Sequence, residues 1–263
     1  MGMTVTPMRA ALGAVVEGFN ATTDLSADVV TELTDAWHRH QVLFFPQVHW
    51  SPADQVRVAG LFGPRLAAIT ETGENDYRNP STLAAEGFPQ ILVLESSPTS
   101  KAATNTWHTD VTFIPEPPIG SLFYMEIAAP SGGDTMWSSQ RAAYAALSES
   151  IKQLIAPLTA IHGQPPLTGV HEHAVVKHHD GNGEPHLFVS RGWTRTLRGL
   201  SQIENRNILN LLIEHSERPE FQIRWQWQSG DGALWDNRCT MHYAINDYGD
   251  ERRRARRVTI YQD

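Results

Sequence analysis

The first side chains able to do chemistry together lie in Asn105-Thr106-Trp107-His108-Thr109-Asp110-Val111-Thr112-Phe113. From Trp107 to Phe113 most positions are β-branched or aromatic, which predicts a strand. Alternation along a strand puts His108 and Asp110 on one face. An imidazole and a carboxylate converging from a short, stiff segment suit a divalent transition metal. Two ligands do not complete such a site, so a third must come from elsewhere in the chain.

Several histidines compete for that place. His171 and His173 form a second i, i+2 pair, with His178, His179 and His186 close behind. Glycines and prolines surround them, and such composition predicts a solvated polar loop. His242 follows Trp235-Asp236-Asn237-Arg238 and precedes Tyr243-Ala244-Ile245. A lone histidine there would ordinarily be structural, and the case for it rests on what comes next, Glu251-Arg252-Arg253-Arg254-Ala255-Arg256-Arg257-Val258-Thr259-Ile260-Tyr261. An arginine run can be a solvated face or a phosphate-binding patch. If the run is extended instead, Arg253, Ala255 and Arg257 share a face with Thr259 and Tyr261, and two guanidinium groups enter one cavity. Arginine suits the two-pronged grip on a carboxylate. A metal beside two anion clamps points to two anionic organic ligands rather than to nucleic acid.

The rest of the chain must hold these groups in place. With 263 residues, 41% hydrophobic and 19% charged, it suits one globular domain, 1–263, with a sizeable core. A net charge of -8 argues against general affinity for nucleic acid or an anionic membrane. The single cysteine, Cys239, excludes an intramolecular disulfide and reads as a small buried residue, in keeping with a reducing cytoplasm. No secretory signal and no apolar run of membrane-spanning length is present, so the expected location is cytoplasmic.

In chain order, residues 1–20 predict a strand pair, and Ser26 caps a helix carrying Val30, Leu33 and Trp37 at helical spacing. Val42-Leu43-Phe44-Phe45 predicts a buried strand, and Ser51-Pro52-Ala53-Asp54 a second helix start. Residues 66–89 lack periodicity and predict a long loop, the kind of segment that often serves as a lid. Strands follow at 91–94 and 119–127, then a helical stretch over 139–156, a short apolar run at 174–176, a strand at 187–189, and a capping box, Ser201 with Glu204, opening a helix. Strands at 221–227 and 233–235 close the list. Many short strands with few helices predict a mainly β fold with flanking helices, a double-sheet jelly roll able to hold a ligand in its mouth.

Four motifs in order carry a resemblance: residues 107–113, Gly132-Gly133-Asp134-Thr135-Met136-Trp137, Trp235-Asp236-Asn237-Arg238 with His242, and residues 253–257. The sequence resembles the taurine dioxygenase family of iron(II)- and 2-oxoglutarate-dependent dioxygenases, with weaker similarity from about residue 5 to the end. The resemblance implies a double-stranded β-helix core. It implies His108, Asp110 and His242 as a facial triad of Fe(II) ligands and as the catalytic centre. It implies Thr135 and Arg253 on the distal carboxylate of 2-oxoglutarate, Arg257 on the substrate anion, and Trp193 and Trp235 as aromatic walls of the pocket. The reaction implied consumes O2 and 2-oxoglutarate, releases succinate and CO2, and oxidises a C–H bond of a small anionic substrate such as taurine or another sulfonate. A homo-oligomer, dimer or tetramer, is expected on the same ground.

Departures from the family pattern bear on the substrate. Taurine-specific members carry a sulfonate-binding histidine where this chain has Pro64-Arg65-Leu66-Ala67-Ala68-Ile69-Thr70. Their asparagine before the first iron ligand matches Thr104, next to Asn105. Residues 163–173 are shorter than usual, which predicts a more open pocket, and the chain ends soon after Tyr261. An alkyl sulfate or aryloxyalkanoate is therefore an alternative substrate. Two other readings are a non-catalytic jelly roll with a structural metal on His171 and His173, and a nucleic-acid patch on the arginine run.

Overall fold

The structure is a computed structural model that describes residues 2–23, 26–70, 73–74, 81–96 and 105–262. The chain opens with β1 (Thr4–Pro7), β2 (Ala14–Glu17), α1 (Ala27–His40), β3 (Val42–Phe45) and α2 (Pro52–Ala59). Short strands β4 (Arg65–Ala67), β5 (Ile69–Thr70), β6 (Gly73–Glu74) and β7 (Thr82–Leu83) lead to β8 (Phe88–Ser96), β9 (Gly120–Ile127) and β10 (Thr135–Ser139). Then come α3 (Gln140–Ala145), α4 (Glu149–Ile155), β11 (Thr159–Gly163), β12 (Val170–Ala174), β13 (Val176–His178), β14 (Pro185–Leu187) and β15 (Thr194–Leu197). The last elements are α5 (Gln202–Ser216), β16 (Gln222–Trp225), β17 (Gly232–Asp236), β18 (Thr240–Ala244) and β19 (Arg253–Tyr261).

The large sheet runs β1-β2-β3-β17-β9-β19-β8-β7, with β4 on β19; the small sheet facing it runs β16-β10-β18. This is the mainly β, jelly-roll arrangement expected. Side-chain alternation assigns each face. Phe44, Phe123, Met125, Ala233, Trp235 and Ala255 point inward and pack with Trp137, Ile223 and Trp227 of the small sheet and its extension. Leu43, Phe45, Leu122, Tyr124, Leu234, Val258 and Ile260 point outward and are covered by Leu33 and Trp37 of α1 and Val58 and Ala59 of α2. Burial on both faces is why β3 reads as an unbroken apolar run.

The caps at Ser26, Ser51 and Ser201 stand where the sequence put them. Residues 139–156 form two helices rather than one, because Ser148 caps a fresh start. Residues 66–89 are not a bare loop: four short strands cross them, with 71–72 and 75–80, like Thr104, outside the described residues.

Two expectations fail here. Residues 107–113 are not a strand: His108 makes one isolated bridge, and the chain then turns at Asp110, with Val111 at φ 56°. A left-handed valine is strained and persists only where its surroundings hold it. The holding groups come from elements far along the chain, which local propensity cannot reveal. The histidine-rich stretch, too, is not a solvated loop. It forms the β11–β12 and β13–β14 hairpins, and His173, His179 and His186 are buried.

Candidate active site

The mouth between the two sheets holds a cavity of about 420 Å³ lined by His108, Asp110, His242, Thr135, Arg253, Arg257, Trp193 and Trp235, so every site residue that the resemblance implied meets there, while His171 and His173 do not. His108 and His242 exchange backbone hydrogen bonds, 3.1 Å from His108 N to His242 O and 2.8 Å in return. That bridge sets the two rings 4.1 Å apart. The turn after His108 is tied down by Asn237. Its side chain accepts from Asp110 N at 2.8 Å and donates to Asp110 O and Pro118 O at 3.0 and 2.9 Å. Thr109 Oγ1 adds a bond to Thr240 O at 2.9 Å.

From the β12 side His173 Nε2 contacts the carbonyls of Thr112 and Ile114, so it must be the donor, and His162 Nδ1 meets Thr112 Oγ1 at 2.9 Å. Burial, with charge from His173 and Lys177 adding, pushes His162 down to about 3; burial brings His173 to about 4. Both rings are neutral struts under the turn.

His108 Nδ1 lies 2.7 Å from Thr106 O, which makes it the protonated nitrogen and leaves Nε2 a lone pair. The Nε2 atoms of His108 and His242 stand 3.6 and 3.7 Å from Asp110 Oδ1. These gaps are too long for hydrogen bonds, so the three ligand atoms surround a space rather than satisfy one another. Burial, reinforced by His108, lowers His242 to about 3 and keeps it neutral, the form a metal needs. Burial alone would raise Asp110, but Arg257, then His242 and His108, outweigh it and hold the carboxyl well below its usual range. Two imidazoles and one carboxylate on one side of a cavity fit a divalent metal with open positions for other ligands.

Arg257 lines the cavity and places Nη1 3.1 and 3.2 Å from the two oxygens of Asp110. Arg253, four residues earlier on the same face, is buried over the rings of Phe123 and Tyr248 and has no carboxylate partner among the described residues. Gly133 stands against it, where a Cβ would lie 3.3 Å from Arg253 Cδ. A buried guanidinium without an anion is costly, and a dicarboxylate supplies the anion.

His173 spends its Nε2 on the carbonyls of Thr112 and Ile114, and neither His171 nor His173 joins a metal-capable cluster among the described residues, which counts against the structural-metal alternative. In the arginine run, Arg252 and Arg254 pair with Glu95, Arg254 also with Glu126, and Arg256 with Glu126. Arg256 is buried and donates to Trp50 O. Those arginines are therefore not a free phosphate patch.

The fold and the site define a metal-dependent, keto-acid-dependent oxygenase. The chain belongs to the taurine catabolism dioxygenase TauD, TfdA family, whose profile matches residues 4–259. It is 35% identical to an alkylsulfatase of Acinetobacter baylyi, over 95% of this chain and 82% of that one. It is 32% identical to an alpha-ketoglutarate-dependent sulfate ester dioxygenase of Pseudomonas putida, over 97% and 88%. A crystal structure of a taurine dioxygenase from Burkholderia xenovorans superposes with a TM-score of 0.86 at 30% identity, covering 100% of this chain and 92% of that one. The protein is a 2-oxoglutarate-dependent dioxygenase that uses Fe(II) and O2. No helix among the described residues is long and apolar enough to cross a membrane.

Two contributors escaped the sequence reading. Asn237 sat inside a quoted motif without a role, and Trp227 was taken only as part of a strand.

Proposed function

We propose that the enzyme oxidises a C–H bond of an alkyl sulfate or alkyl sulfonate. His108, Asp110 and His242 hold the iron, Thr135 and Arg253 the distal carboxylate of 2-oxoglutarate, and Arg257 the substrate's sulfur-bearing anion. With 2-oxoglutarate and O2 the bound iron supplies oxidative decarboxylation to succinate and CO2 together with the oxidant for the C–H bond. The chain's residues do the positioning: two arginines on one strand face keep the two anions apart, which fixes the carbon presented to the metal.

The observation that carries the substrate class is the cavity wall. Beyond the polar groups named above it is built mainly from Leu92, Leu94, Val111, Phe113, Phe123, Trp193 and Trp235, and Asp110 is its only carboxylate among the described residues. A hydrocarbon chain is favoured against such a wall, whereas the ammonium of taurine would be desolvated without a partner. The relatives acting on sulfate esters favour the same class. Taurine catabolism is the second reading, supported by the taurine dioxygenase likeness; an aryloxyalkanoate is a third, compatible with the aromatic walls.

The test is anaerobic loading with iron and 2-oxoglutarate, then O2 and a panel of alkyl sulfates, sulfonates and aryloxy acids, reading succinate. Alkyl sulfates should turn over best, with release of sulfate and an aldehyde; taurine as the best substrate would overturn this reading. We also propose one catalytic domain, 1–263, working in the cytoplasm as a homo-oligomer. Exposed Ile203 and Leu211 on α5, with Leu167 and Val170, support the last point, and light scattering tests it.

A further inference from the structure

Thr135 Oγ1 accepts a hydrogen bond from the indole Nε1 of Trp227 at 2.9 Å. An indole N–H can only donate, so it occupies a lone pair of the threonine oxygen and leaves the hydroxyl proton to be spent elsewhere. No acceptor for that proton is found among the described residues. Thr135 lines the same cavity as Arg253, which also lacks an anionic partner there. Phe123 joins the two: its ring packs 4.8 Å from that of Trp227 and lies 5.8 Å from the Arg253 guanidinium carbon. Trp227 is buried in the inner core, so its indole is fixed by packing and not merely by this bond.

We propose that Trp227 is a positioning residue for the co-substrate: it fixes the Thr135 hydroxyl as a donor aimed at the distal carboxylate of 2-oxoglutarate. The inference rests on the assignment of Thr135 and Arg253 given above. Without the indole N–H the hydroxyl has free rotamers and an unfilled lone pair, and must be ordered when the carboxylate arrives. The expected loss is that of one neutral hydrogen bond, about fivefold in affinity.

Binding of 2-oxoglutarate to the Fe(II) enzyme under anaerobic conditions, titrated calorimetrically, measures this directly. Trp227→Phe keeps the aromatic packing and should weaken binding about fivefold, and Thr135→Val about tenfold. The double variant should be no weaker than Thr135→Val alone, because the indole acts through the hydroxyl. Binding of 2-oxovalerate, which has the same carbon chain but no distal carboxylate, should be unchanged by Trp227→Phe. An unaltered affinity in Trp227→Phe, additive losses in the double variant, or equal weakening toward 2-oxovalerate would each overturn the role of Trp227. An unaltered affinity in Thr135→Val would instead overturn the assignment of Thr135 beneath it. Trp227→Leu, which also lacks the ring N–H, should weaken 2-oxoglutarate but not 2-oxovalerate in the same way and replaces the phenylalanine form should that fail to fold.

Discussion

Two buried groups of metal-binding side chains lie near opposite ends of the Trp235–His242 segment: His108, Asp110 and His242, and His179, Asp236 and Cys239. Their composition is similar and their chemistry is opposite. Asp236 is saturated: His179 Nε2 at 2.7 Å, Arg238 in a two-pronged grip at 2.9 and 2.7 Å, and Arg238 N at 3.0 Å. In the first group Asp110 is held by Arg257 and Ser121, but the Nε2 atoms of both histidines stay beyond hydrogen-bond reach of it, at 3.6 and 3.7 Å. The closed group locks the turn between β17 and β18, and the open group faces the cavity. Imidazole nitrogens left over beside a cavity, rather than residue type, mark the place reserved for a metal.

Breaking each aspartate separates the two roles. Asp110→Ala should reduce succinate formation to background. Mn(II), a stand-in for the catalytic ion, should raise the melting temperature of the native enzyme, equivalent to about 2.7 kcal/mol at a hundredfold excess over Kd. Asp110→Ala should abolish that rise, while Cys239→Ala in the closed group should retain it. If Cys239→Ala loses the rise, the closed group is binding metal and the comparison collapses.

Asp236→Asn should act on the fold instead. It leaves the Arg238 guanidinium and His179 without their carboxylate in the interior, a loss of about 3–5 kcal/mol in urea unfolding. Native-like stability would mean that Arg238 finds another partner.

The difference between the groups was only half visible in the sequence. His108, Asp110 and His242 could be picked out because the arginines at 253 and 257 gave them an anionic context, and alternation along β19 did project both into the cavity. The β strands of the core were legible because burial on both faces writes itself as apolar runs. The turn at Asp110 was not: β-branched residues predicted a strand, and the override came from Asn237, some 127 positions away. His173 and His179 looked like loop histidines for the same reason, since their partners, the carbonyls of Thr112 and Ile114 for one and the Asp236 carboxylate for the other, lie far along the chain. Trp227 was invisible because its role depends on a single N–H reaching across the small sheet.

Arg253 tests the open group from the co-substrate side. Replacing it by alanine should raise the 2-oxoglutarate requirement by about 10–100-fold, the range of a charge-assisted bond made where water is excluded. The Mn(II) stabilisation should persist, because Arg253 touches none of the three ligands. An unchanged 2-oxoglutarate requirement would show that the unpartnered guanidinium serves some other anion.

The mildest effect comes from histidines belonging to neither group. Burial lowers His162 to about 3 and His186 to about 4, against 6.5 in the unfolded chain. Between those values the unfolded chain holds protons that the folded one refuses, so stability falls as the pH falls. The contribution is complete above pH 6.5 and is lost on descending through about 4 for His186 and about 3 for His162. Each group then costs up to about 1.4 kcal/mol per pH unit within its window. His162→Asn, which keeps a polar group near Thr112, should flatten the dependence of urea-unfolding stability between pH 6 and 4 by about one such increment. An unflattened slope would mean that His162 accepts a proton in place, and that the strut beneath the Asp110 turn is not a neutral ring.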